Sequence, residues 1–105
     1  MAESSGTDKL VIKNIGMVLS GALERPIIEA DTLVAVDGRI SQFGAEKDCD
    51  TDGATTTIDA AGVTLAPGLI DSHVHPVAGD FTPRQSQVNW IDSSMHGGVT
   101  TMISA

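Results

Sequence analysis

Over the first two thirds of this chain the apolar residues fall in short runs at strand spacing. "KLVIKNIGMVLSG" (residues 9–21) carries Leu10, Val11 and Ile12, then Gly16, then Val18 and Leu19, and predicts β structure. In "TLVAVDGRISQFG" (32–44), Leu33, Ala35 and Asp37 alternate with Val34, Val36 and Gly38. Asp37-Gly38 suits the two-residue type I′ turn of a hairpin, because both positions of that turn need positive φ. "AEKDCDTDGAT" (45–55) predicts an acidic loop, and "TTIDAAGVTLAPG" (56–68) predicts two more short strands around Ala60-Ala61-Gly62. Residues 9–66 therefore read as part of a β-sandwich, and residues 1–8, small and polar, as a flexible tail.

The pattern changes at Pro67-Gly68. "LIDSHVH" (69–75) is one apolar-rich strand with few exposed-type positions, which suits a strand buried on both faces of a parallel sheet. After a loop, "TPRQSQVNWIDSSMHGG" (82–98) predicts a helix. Thr82 serves as N-cap, Pro83 takes the first helical position, and Gln85 completes a capping box. Val88, Ile91 and Met95 give one apolar face, and Gly97-Gly98 stop the helix. "VTTMISA" (99–105) is a second β-branched strand. Strand, helix and strand in sequence form a βαβ unit, so a β-module is followed by the first unit of an α/β domain.

Charge narrows the partners. Six basic residues, no two adjacent, against 14 acidic ones give a net charge of −8, which excludes a phosphate-binding surface for nucleic acid and disfavours an anionic membrane. The N-terminal segment has neither the basic nor the apolar region of a secretory signal, and no run approaches a membrane span, so a cytoplasmic location is expected. Cys49 is the single cysteine, set among Asp48, Asp50 and Asp52, which would raise its thiol pKa and leave it unreactive.

The candidate chemistry lies in "PGLIDSHVHP" (67–76). Alternate strand residues share a face, so Asp71, His73 and His75 are expected on one side and Ile70, Ser72 and Val74 on the other. Two neutral imidazoles at i, i+2 near the carboxyl end of a strand can grip one metal ion. Asp71, one pleat deeper, can contact the ion or orient a ligand from behind. The competing reading is a pair of hydrogen-bonded histidines in a buried strand. His96 is an unsuitable third ligand: a helix over 83–96 is about 20 Å long and ends at the opposite side of the sheet. Its place at a helix C-terminus suits a cation instead. Catalytic metal sites generally hold at least three protein ligands, so further ones are expected outside this chain.

"APGLIDSHVH", preceded by "IDAAG" and followed by "GGVTT", resembles the amidohydrolase superfamily of metal-dependent hydrolases, over nearly the whole chain. "AGDFTPRQ" with "MHGGVTTMISA" is similar to the branch that opens cyclic enamides. The resemblance implies a (β/α)8 TIM-like barrel whose first βαβ unit occupies 67–105, joined to a β-sandwich drawn from both chain ends. It implies His73 and His75 as metal ligands, with Asp71 at an acidic position that is usually not a direct ligand. It implies a divalent metal, zinc and/or iron, in a binuclear centre of the full-length protein. A small cyclic amide would be the substrate, and the full-length protein is expected to be a homo-oligomer. The catalytic base, an aspartate, is expected downstream, so no catalytic residue is assigned within these 105 residues, which alone should be inactive. Arg84, at the helix N-terminus, could meet a substrate carboxylate or pack over the loop. Asp80 could contribute to substrate binding or remain a solvated loop acid. Members acting on other rings, dihydroorotase- or imidazolonepropionase-like, and non-catalytic structural members are the alternatives. Retention of both histidines counts against the last.

Overall fold

The computed structural model describes residues 7–75 and 87–104, and it divides into two compact units between Pro67 and Gly68. In the first unit the strands are β1 (Lys9–Lys13), β2 (Met17–Leu19), β3 (Ile27–Ile28), β4 (Thr32–Val36), β5 (Arg39–Gly44), β6 (Thr56–Asp59) and β7 (Thr64–Leu65). They form a four-stranded sheet in the order β5-β4-β1-β6 and a three-stranded sheet in the order β3-β2-β7. The predicted hairpin joins β4 to β5, with Asp37 at φ 51° and Gly38 at φ 80°, as a type I′ turn requires. The two-residue strand β3 is absent from the sequence reading. Ile27-Ile28 follows Glu-Arg-Pro and is too short to show a period, and its strand character comes from antiparallel pairing with β2.

The core lies where the two sheets share side chains. Ile15, Val18 and Leu33 are buried, with Ile12, Ile28, Phe43 and Leu65 packed against them, so β1, β2, β3, β4, β5 and β7 all contribute. Val11 and Val34, a directly opposed pair on β1 and β4, are buried on the other face of the larger sheet. Full burial of a valine is worth about 1.5–3 kcal/mol. Strand β4 thus buries Thr32, Leu33 and Val34 in succession, where simple alternation leaves one face open. The acidic segment explains this. Residues 46–48 form a short 3-10 turn, and Val11, Lys13, Glu46, Thr51 and Thr57 line one hollow. The Lys9 ammonium donates to the Asp52 carbonyl at 2.6 Å and lies 3.4 Å from the Asp50 carboxylate. The Glu46 amide donates to Asp31 Oδ1 at 3.1 Å.

Two differences from the sequence reading sit beside that segment. The Cys49 thiol is pushed up chiefly by partial burial, then by Asp48 and Asp31, without the expected part for Asp50 and Asp52. Asp8, expected in the loose tail, is tied in: its amide donates to Asp37 Oδ1 at 3.0 Å and its carboxylate accepts from Thr55 Oγ1 at 2.8 Å. Residues 1–6 of that tail lie outside the described residues.

The links β1–β2 and β6–β7 run side by side from one sheet to the other. Strand β6 pairs parallel with β1, and β7 pairs parallel with β2. The bonds Ala60 N–H to Lys13 O (2.8 Å), Gly62 N–H to Asn14 O (2.7 Å) and Gly16 N–H to Val63 O (2.9 Å) carry the pairing through the bend. Asp59 supports it: its Oδ1 accepts from Asn14 Nδ2 at 3.0 Å and from the Ala61 amide at 2.9 Å. These two bonds, the Asn14 side chain first, hold the Asp59 carboxyl below the usual carboxylate range. A carboxylate lowered in the folded state contributes stability that is present above the unfolded value of about 3.9 and is lost as pH falls through the folded one. Asp59→Asn should therefore be less stable than the parent at neutral pH, and the gap should close as pH falls below about 4. Urea midpoints across a pH series would check it; a gap that widens on acidification would refute it.

The second unit holds β8 (Leu69–Val74), α1 (Gln87–His96) and β9 (Val99–Ser104), with β8 and β9 parallel. The predicted strand–helix–strand order is present. The helix stops as expected: the Gly97 amide donates to the Ser93 and Ser94 carbonyls, and Gly98 takes φ 93°, open to glycine without strain. The expected burial of β8 on both faces is not observed. Leu69 through His73 are exposed and only Val74 is buried; a face is covered only by what packs over it, and among the described residues α1 packs chiefly on β9. Ile91 and Met95 of the apolar helix face are exposed too. The expected cap at Thr82, Pro83 and Gln85 lies outside the described residues.

Candidate metal centre

Both imidazoles project from the carboxyl end of β8, His73 one residue before its last and His75 just beyond it. Val74 between them is turned inward and 7% exposed, which anchors the strand end and leaves the two rings on the open side. Their Nε2 atoms are 2.9 Å apart, with ring centroids at 4.7 Å and planes at 77°. Two neutral imidazoles at this distance can share one N–H···N hydrogen bond. They can equally turn both Nε2 lone pairs on one cation, since metal–nitrogen distances of about 2.0–2.1 Å let two atoms this close reach the same ion. The donor set suits a borderline ion such as zinc or iron. Among the described residues no group of three or more His, Cys, Asp or Glu side chains converges.

The remaining candidates separate. Asp71 Oδ1 accepts a hydrogen bond from the His73 main-chain amide at 3.2 Å. His96 ends α1 just before Val99, which pairs with Leu69 at the start of β8, so it belongs to the opposite end of the strand pair from His75. Over the six steps from Leu69 to His75 that separation is about 20 Å. Arg84 and Asp80 lie outside the described residues.

Gly68 and Thr100 form a contact that periodicity gives no sign of. A Cβ on Gly68 would overlap Thr100 Oγ1 and Cγ2 and lie 2.7 Å from its Cβ. Gly68→Ala should destabilise the β8–β9 pair by about 1–3 kcal/mol, the usual range for overpacking. Thr100→Gly should recover part of that loss in the double variant. A denaturation double-mutant cycle would measure the coupling, and strictly additive losses would contradict the contact.

No family model matches the chain. A crystal structure described as that of a new member of the amidohydrolase superfamily aligns with TM-score 0.80 and 50% identity, over 92% of this chain and 25% of that one. The chain belongs to the amidohydrolase superfamily, the resemblance its motifs carry. The protein in that crystal is an enamidase, and the enamidase of Eubacterium barkeri is 52% identical over 97 residues, 92% of this chain and 25% of the relative. The L-hydantoinase of Paenarthrobacter aurescens is 36% identical over 95 residues, 90% of this chain and 19% of the relative. The imidazolonepropionase of Mycolicibacterium smegmatis is 35% identical over 109 residues, 91% of this chain and 25% of the relative. The chain thus spans about a quarter or less of the length of the curated relatives it matches. Among the described residues no helix is long and apolar enough to cross a membrane.

Proposed function

We propose that this chain is the N-terminal part of a metal-dependent hydrolase that opens a carbon–nitrogen bond in a cyclic amide, with an enamide ring as the preferred substrate class. The observation that carries the reading is the convergence of His73 and His75 Nε2 at 2.9 Å at the carboxyl end of a parallel strand. In a (β/α)8 barrel that end is where active sites are assembled, so β8, α1 and β9 are taken as its first βαβ unit. The preceding strands are taken as part of the accompanying sandwich.

His73 and His75 would hold a divalent cation, zinc or iron, in a centre completed by residues beyond this chain. When bound, the cation supplies Lewis-acid polarisation of the amide carbonyl and a water acidified toward neutral pH. Buried Val74 anchors the end of β8 between the two imidazoles. Arg84 and Asp80 are proposed contacts for the substrate, Arg84 through a carboxylate. The general base, an aspartate, is assigned to the continuation of the polypeptide. The working protein is taken to be a cytoplasmic homo-oligomer.

The full-length protein, assayed for ring opening on a cyclic enamide, a hydantoin and an imidazolone beside its zinc and iron content, tests this. Preferred turnover of the enamide by metal-containing protein is expected. Preferred turnover of the hydantoin would move it to the second branch, favoured by the 36% identical hydantoinase. Metal-containing protein inert on all three would overturn the proposal.

A further inference from the structure

We propose that Asp71 is a positioning residue that acts through the main chain: its side-chain oxygen holds a local irregularity of β8 that aims His73 at His75. This rests on the reading of His73 and His75 as metal ligands and adds how the first of them is set.

The observation is the register of the parallel pair. Leu69 faces Val99 and Val74 faces Ser104, so the two strands advance equally between these ends. Between them, Ile70 faces Thr101 and Asp71 faces Met102. Strand β9 therefore carries an additional residue, Thr100, near the start, and β8 carries a compensating one between Asp71 and Val74. The first irregularity sits where Gly68 leaves room for the Thr100 side chain. The second falls on Ser72-His73.

Such an irregularity takes a backbone group out of the ladder and re-aims the side chains beside it. The strict alternation that would put Asp71, His73 and His75 on one face no longer decides where His73 points. The His73 amide finds its acceptor two residues back instead, in Asp71 Oδ1 at 3.2 Å. This short link fixes the backbone of Ser72 and His73. It leaves the two rings edge to face with their Nε2 atoms 2.9 Å apart. Chemically this task needs an acceptor oxygen on a two-atom stem and not a negative charge. Asparagine offers the same Oδ1; alanine offers none. An Asp71 acting on the cation or on a substrate proton would need the charge itself.

The experiment compares Asp71→Asn and Asp71→Ala in the full-length protein. Zinc affinity is read by competition with a chelating dye, and exchange of the His73 amide is read by hydrogen–deuterium exchange on metal-free protein. Asp71→Asn should keep both near the parent values. Asp71→Ala should lose about 10–100-fold in zinc affinity, the range for partners that orient a metal ligand, and its His73 amide should exchange faster. Rescue by asparagine is the signature, and a matching thermal transition for the asparagine variant keeps it interpretable if the alanine variant folds poorly. Equal damage from asparagine and alanine would overturn the proposal in favour of a charge-dependent role. Unchanged His73 exchange in Asp71→Ala would overturn it as well. His73→Ala in parallel keeps the two readings apart: zinc affinity unmoved by that change would refute the ligand assignment and leave the amide-exchange result standing.

Discussion

Alanine at His73 or at His75 is expected to lower the zinc affinity of the full-length protein by at least about 100-fold and to abolish measurable ring opening. The floor follows from what lesser changes do: losing a group that only orients a metal ligand costs about 10–100-fold, and each imidazole here would be the ligand itself. The pair should also act as a unit. With the two Nε2 atoms 2.9 Å apart, losing one ring removes half of a joint grip, so the double variant should be little worse than either single one. Neither change should cost much folding stability, because both side chains are exposed while Val74 between them stays buried. Zinc titration, turnover and a denaturation curve on the three variants separate these effects. Variants that keep full metal content and turnover would make the pair a hydrogen-bonded strand end with no metal role.

Gly16→Ala is expected to destabilise the β unit by about 3 kcal/mol or more, at or beyond the top of the usual overpacking range. A Cβ on Gly16 would overlap the Gly62 carbonyl oxygen and lie 2.8 Å from its carbonyl carbon. Both are backbone atoms, so no side chain can swing away to relieve the overlap. To make room, the β1–β2 and β6–β7 links must part, which threatens the bonds Gly62 N–H to Asn14 O and Gly16 N–H to Val63 O. Gly44→Ala is the control. Its new Cβ would meet only Cys49 Sγ at 3.7 Å, an ordinary contact. That change should be neutral or stabilise by about 0.4–1 kcal/mol through the unfolded chain. Chemical denaturation of both variants gives the comparison, and equal stability of the two would refute the close crossing of the links.

Much of this was legible in the sequence because the governing physics is local. Asp37-Gly38 announces its turn because two consecutive positive φ values suit few residue pairs. The runs around Val11, Val18 and Val34 announce strands through β-branched content and spacing. Gly97-Gly98 marks the end of α1, and the His-x-His spacing marks a pair able to meet on one strand face. The motif around it was specific enough to indicate the superfamily.

Contacts between distant segments were not legible, since no local preference encodes them. Gly16 is ordinary in its own run, and only the parallel crossing of residues 60–63 makes a Cβ there intolerable. Thr32, Leu33 and Val34 are buried in succession because the acidic segment, held by Lys9 and Asp31, covers the second face of the sheet. The bond from the His73 amide to Asp71 Oδ1 and the register shifts of β8 against β9 were not legible either, because a one-residue offset between two strands exists only once they are paired. By itself the sequence determined the longer strands, the turns, the helix end, the histidine pair and the family they belong to, each from properties carried within a few residues. The tertiary structure alone decided which backbones touch, which face is covered, that Ile27-Ile28 pairs as a strand and where the register of β8 against β9 shifts, because those depend on segments that meet only after the chain has folded.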